Sequence, residues 1–213
     1  MANVNKWAGV NVAIQSALAA ADTISGITKA NPGVVTATAH GLNNGDYVKL
    51  SVLGMSQVNA RVFRVANKTT DTFELEGENT TDYDTFSSGT AEAVTFGTTM
   101  TTAVGLQASG GDFDFIDTTT IHDLQKTQVP GTPSAGVYTF DNLWDPADPA
   151  LAALKAAADN QAQRCIKMRF RTGATLVFNS YIGCTLLPTG NAQDKVLTPM
   201  VATMFGRATL FAS

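Results

Sequence analysis

The sequence predicts a mainly β protein with one α-helix. Three observations carry this. Short segments alternating between apolar and polar residues recur along the chain, clusters of Gly, Asn and Asp separate them, and a single Ala-rich stretch has both helical spacing and a start signal. Of the 213 residues, 44% are apolar and only 15% charged, where a typical soluble domain carries roughly 25% charge. A chain so poor in charge either keeps part of its exterior for other protein surfaces or is a low-charge monomer. Composition alone leaves both open.

Three stretches differ in texture: 1–25, 26–92 and 93–213. In the first, Val10, Val12 and Ile14 alternate as a strand does, whereas Gln15 to Ala21 has the composition of a helix. The strand is the favoured reading, preceded by an extended arm that contains Trp7. An aromatic so near a terminus fills either its own core or a neighbour's.

The second stretch reads as strands at Val34–Thr38, Tyr47–Val52, Arg61–Val65 and Thr72–Glu76. His40 to Asp46 and Asn67 to Asp71 supply the turns. Four or five short strands in about 65 residues suit a small barrel or sandwich.

In the third stretch, Asp148-Pro149 opens the helix. An Asp carboxylate can take the free N–H groups of a first turn, and Pro at the first helical position gives up no hydrogen bond. Leu151, Leu154 and Ala158 form a narrow apolar stripe for packing on a sheet. A hairpin follows: Ile166, Met168 and Phe170 face Leu176, Phe178 and Ile182, with a three-residue loop Thr172-Gly173-Ala174 pairing Phe170 with Leu176 and Met168 with Phe178. That register leaves Cys165 and Cys184 as free thiols. Val196 to Phe205 is a last strand, and the apolar end at Leu210-Phe211 needs a pairing partner.

Little chemistry is legible. The net charge of −4 without a basic run argues against tight nucleic-acid binding. No apolar run reaches the ~18 residues of a bilayer span, and neither a signal peptide nor a disulfide framework is indicated, which fits synthesis in a reducing cytoplasm. His40 and His122 have no second ligand at metal spacing, and His40 before Gly41 reads as a turn residue. No nucleophile elbow, phosphate loop or dinucleotide fingerprint appears. No catalytic residue, cofactor or metal is therefore expected. Asp112, Asp114 and Asp117 form the one acidic group, with Asp112 and Asp114 placed on one face of a strand and Phe113 and Phe115 on the other. They lack the further oxygens of a Ca²⁺ loop.

The segments Thr119–Ile121 through Val129-Pro130-Gly131, Val137 to Asn142 and Asp148 to Leu151, in that order, resemble tail tube proteins of long, flexible-tailed bacteriophages. The helix, the basic-flanked hairpin Arg164–Ile182, the closing strand with Gly206 and the first strand at Val10–Gly26 fit the same family, about 140 residues in all. Gly26 to Leu75 is similar to a small β module, the first catalytic-cysteine half-domain of ubiquitin-activating enzymes. No cysteine lies in 26–92, so no ubiquitin chemistry is implied.

The resemblance implies a β-sandwich flanked by one helix, with residues 26–92 as an inserted barrel-like domain between the first strand in 1–25 and the remainder in 93–213. It implies hexameric rings stacked into a virion tail tube, a conduit for DNA in transit. The implied partners are copies of itself and tail terminator, tape-measure and tail-tip proteins, with no membrane. Thr118–Ala135 matches the stacking loop. Trp7, Ile121, Leu124, Val129, Pro130, Leu210 and Phe211 are the candidate ring and stacking contacts, and Asp112 and Asp114 the candidate acidic lumen residues. The rival reading is a baseplate or adhesion module that binds a host surface glycan.

Overall fold

The computed structural model describes residues 7–212, so the part of the expected arm before Trp7 lies outside the described residues. The chain order is β1 (Asn11–Leu18), β2 (Asp22–Ile24), β3 (Gly26–Ile27), β4 (Val34–Thr36), β5 (Tyr47–Leu53), β6 (Val62–Ala66), β7 (Thr72–Leu75), β8 (Ser88–Met100), β9 (Ala103–Ser109), β10 (Phe113–Asp117), β11 (Gln128–Pro133), β12 (Val137–Leu143), α1 (Pro149–Asp159), β13 (Gln163–Arg169), β14 (Thr175–Cys184), β15 (Leu197–Met204) and β16 (Thr209–Phe211). The architecture is mainly β with one α-helix, as the sequence predicts.

One continuous sheet runs β3-β4-β7-β6-β5-β8-β1-β13-β14-β15-β12-β9, with β16 on β14 and β2 on β8, while β10 and β11 pair only with each other. The 13-residue β8 is the joint. Its first half, Ser88–Val94, pairs with β5, and its second half, Val94–Met100, pairs with β1. Each half serves a different core. Val35, Val48, Leu50, Phe63, Val65, Phe73 and Leu75 fill one, within strands β3 to β8. Val12, Ile14, Ile166, Met168, Phe178, Phe140 and Met200 fill the other, beneath the helix. Between them, Val62, Val94, Cys165, Val177 and Phe211 form a seam.

The second core explains a topological feature. From β8 to β9 the sheet takes six ladder steps, yet only Thr101 and Thr102 separate those strands in sequence. Val12, Met100, Leu106 and Phe140 meet in one cluster. The sheet therefore curls round that core and brings its last strand, β9, back to the end of β8 at the Thr101-Thr102 corner.

Asp148 starts the helix as its sequence requires. Its carboxylate accepts from the amides of Ala150 and Leu151 at 2.7 and 3.0 Å, and Oδ2 accepts from the Thr101 hydroxyl at 3.1 Å. Leu151, Leu154 and Ala157 are fully buried on the sheet, with Ala158 at the margin. Each leucine contributes roughly 1.5–3 kcal/mol by that burial.

β1 overrides the helix-like composition of Gln15–Leu18. Val12 and Ile14 are drawn into the core, two ladders flank Asn11–Ile14, and the β8 ladder holds the backbone extended on to Leu18. Where the β13 ladder ends at Ile14, the Gln15 side chain takes its place and accepts the Cys165 amide at 3.0 Å.

The hairpin register differs from the expected one. Met168 pairs with Leu176 and Ile166 with Phe178, while Phe170 N–H donates to Ala174 O at 2.9 Å, so the loop is Arg171-Thr172-Gly173. A three-residue loop ends on a left-handed residue, and Gly173, at φ 95°, fills that position. The expected loop would have put Ala174 there, with a Cβ penalty. The two-residue shift leaves the apolar face unchanged. Cys165 and Cys184 are free and buried. The apolar C-terminal end finds its pairing partner inside the chain, β16 lying along Thr175–Val177 of β14.

Candidate assembly surfaces

Beyond Ser109 the chain leaves the main sheet and returns at Val137. Gly110 makes the exit, with φ 78° and the carbonyl oxygen of Ala135 only 2.2 Å from where a Cβ would stand. Between these points β10 and β11 form a ribbon, with Phe115 opposite Pro130, Ile116 opposite Val129 and Asp117 opposite Gln128. The expected stacking loop Thr118–Ala135 is thus the turn and one strand of a hairpin. Asp112 and Asp114 do not share a strand face as expected. Asp112 precedes β10, its carbonyl accepting from Ser134 N–H, and a bulge between Phe113 and Phe115 breaks the alternation.

The turn is held by its own polar groups. Thr118 N–H donates to Thr127 O, Asp117 accepts from Thr119 N–H, and Asp123 accepts from both the amide and the hydroxyl of Thr120. These hydrogen bonds hold the carboxyl groups of Asp117 and Asp123 below the usual carboxylate range.

The ribbon buries almost nothing. Ile121 and Leu124 are 96% and 107% exposed, and Phe113, Phe115, Ile116, Val129 and Pro130 are also exposed. An isolated two-stranded ribbon is marginal in water, and a contiguous exposed apolar surface of this kind marks a contact.

Among the other sequence candidates, Trp7 is exposed and tilts against Phe170 with ring centroids 5.7 Å apart. With Val10, Val12, Ala103–Leu106 and Phe140 it lines an apolar groove of about 210 Å³. Leu210 is exposed on β16, whereas its neighbour Phe211 is 4% exposed and packs in the seam. Phe211 is consequently engaged within its own chain.

Sequence reasoning missed a second apolar patch. Exposed Leu143, Trp144, Leu187 and Val196 lie where β12 and β15 meet, tied by Trp144 N–H to Val196 O and Trp144 Nε1–H to Leu186 O. The adjacent Leu143-Trp144 before Asp145-Pro146 was the only signal, since alternation does not continue there.

A third surface is notable for lacking positive charge. β9, β12, β14 and β15 contain Asp141 as their one carboxylate and no Lys or Arg. On the face away from the helix, Gln107, Thr139, Asp141, Tyr181, Val201 and Thr203 stand side by side by register, all half-buried or exposed.

No group of three or more His, Cys, Asp or Glu could hold a metal ion among the described residues. His40 is taken up by its turn, Nδ1 accepting from Leu42 N–H and Nε2 donating to Thr72 O. Burial pushes the Cys165 thiol up to about 12, away from nucleophilic use. No described helix is long and apolar enough to cross a membrane.

Residues 53–213 match the family described as phage tail tube protein, TTP. No curated protein matches the chain.

Proposed function

The chain belongs to the phage tail tube protein family, a structural and non-enzymatic component of the phage tail, and we propose that its copies close into rings that stack into a tube for DNA. The observation that carries this reading is the β10–β11 arm, whose Ile121 and Leu124 are covered by no surface among the described residues. Stacked subunits supply such a surface. Trp7, Val129, Pro130 and Leu210 are the further contacts in this reading, and Phe211 supports Leu210 from beneath.

The face bearing Gln107, Thr139, Asp141, Tyr181, Val201 and Thr203 lines the channel. Affinity for DNA comes chiefly from Lys and Arg contacts to phosphate, and the strands carrying this face have none. Asp112 and Asp114 sit at the root of the arm, just past the end of β9, and extend the acidic character to the channel's mouth.

Residues 26–92 act as a module inserted between β1 and the second half of β8, projecting outward from the tube. Their separate core supports this. Six copies per ring, with terminator, tape-measure and tail-tip proteins at the ends of the stack, complete the assembly.

Electron microscopy of the purified chain tests the reading. Hollow tubes or stacked rings with one central channel are expected, and a monodisperse monomer at high concentration would refute it.

A further inference from the structure

The arm and the Trp7 groove occupy opposite ends of the same two strands. The arm springs from Ser109 and Val137, which pair with each other, whereas the groove is lined by Ala103–Leu106 at the other end of β9 and by Phe140. Among the described residues the protrusion at one end does not meet the cavity at the other. A contact between the two in different copies would be heterologous, each copy giving its tip to the next and receiving one from the last.

We propose that the tip residues Ile121 and Leu124 of one copy insert into the groove lined by Trp7, Val104 and Leu106 of the next copy. This rests on the stacking reading above and names the receptor for its arm. The lengths are compatible. The six residues Phe113–Thr118 reach roughly 20 Å at about 3.3 Å per residue before the turn that carries the tip, close to the roughly 23 Å of a seven-residue strand such as β9.

Charge selects this receptor over the Trp144 patch. The arm carries Asp112, Asp114, Asp117 and Asp123 against Lys126. Beside the groove, Arg171 lies along Gly9, and Arg169 faces Asn11 across the β1–β13 ladder. The Trp144 patch is flanked instead by Asp145 and Asp194, with Lys195 between the latter and Val196. An acidic tip meets mainly opposite charge at the first, where Asp141 opposite Gly105 is outnumbered by Arg169 and Arg171, and mainly like charge at the second.

The test is chemical cross-linking of the full chain under assembly conditions with a short bismaleimide. Both native thiols are buried, so the background is low. The variant carrying Leu124→Cys and Val104→Cys in one chain is expected to give a ladder of covalent trimers, tetramers and longer species, and Leu124→Cys alone is expected not to. Arg169→Glu with Arg171→Glu in that background should reduce the ladder at least tenfold. Tubes in micrographs with no ladder at Val104, but a ladder from Leu124→Cys with Leu187→Cys, would overturn the groove assignment and leave stacking intact. Dimers from Leu124→Cys alone would also overturn it, because a symmetric contact stops at two. If the unmodified chain forms neither tubes nor multimers, the stacking reading falls and takes this inference with it.

Discussion

The guanidinium of Arg64 lies over the ring of Phe211, its central carbon 4.7 Å from the ring centroid. Arg64 is on β6, within the first core, and Phe211 is on the last strand, so this contact closes the seam between the two cores. Glu76 pairs with the same guanidinium, and the Tyr47 ring meets Phe211 edge-on at 6.3 Å. The contact is a charged group stacked on a partly desolvated aromatic face.

Phe211→Ala should therefore destabilise the chain by about 3 kcal/mol, the low end for a buried Phe. Leu210→Ala, one residue away and exposed, should leave monomer stability within about 0.5 kcal/mol. Urea unfolding of both variants measures the difference, and equal effects would contradict the seam.

Arg61 and Glu78 form a nearly buried ion pair within the first core's margin, with Glu78 also accepting from the Tyr83 hydroxyl at 2.6 Å. Removing one partner leaves the other charge without compensation. Glu78→Gln should cost about 3 kcal/mol, read from the denaturation midpoint. A change smaller than that of a surface Glu→Gln would show that water compensates Arg61.

Asp148 joins the helix N-terminus to the Thr101 corner. Asp148→Ala should lower stability by about 1–2 kcal/mol, since it removes both a cap and a cross-link. Asp148→Asn, which keeps one acceptor oxygen, should recover more than half of that loss in the same titration.

The turn at the arm's tip should respond to acid. Asp117 and Asp123 have their carboxyls held below the usual range by the hydrogen bonds of Thr119 and Thr120. A depressed folded value means the turn's stabilisation is complete above the ordinary carboxylate range and is lost as pH falls through the depressed value. Amide shifts of Thr119 and Thr120 in NMR titrations should move with midpoints below that of a free Asp. Midpoints at the free value would contradict the assignment.

The face free of Lys and Arg should be sensitive to added positive charge. Thr139→Lys with Thr203→Lys is expected to leave assembly intact and to give tubes that retain DNA, with the retention falling steeply as salt rises. Filter binding at two salt concentrations reads it. Tubes that ignore DNA with both lysines in place would move the channel to another face.

By itself the sequence determined the local elements, because their signals are local. Asp148-Pro149 had to start a helix, since the carboxylate and the ring act within one turn. The alternation at Tyr47–Val52 and Ile166–Phe170 had to give strands, because only a period of two buries one face. The absence of Lys and Arg from β9, β12, β14 and β15 was also written in the sequence, but it has no meaning until register places those strands side by side. Tertiary structure decided the rest. Leu210 and Phe211 are adjacent and equally apolar, and only the pairing of β16 on β14 turns one outward and the other into the seam. Gln15–Leu18 is a strand because the β8 ladder, with the Gln15 side chain bonded to the Cys165 amide, outweighs a propensity of a few tenths of a kcal/mol per residue. The arm and its groove face opposite ways because β9 and β12 pair antiparallel from Ala103 to Ser109. That is a relationship between distant residues, which no local signal carries.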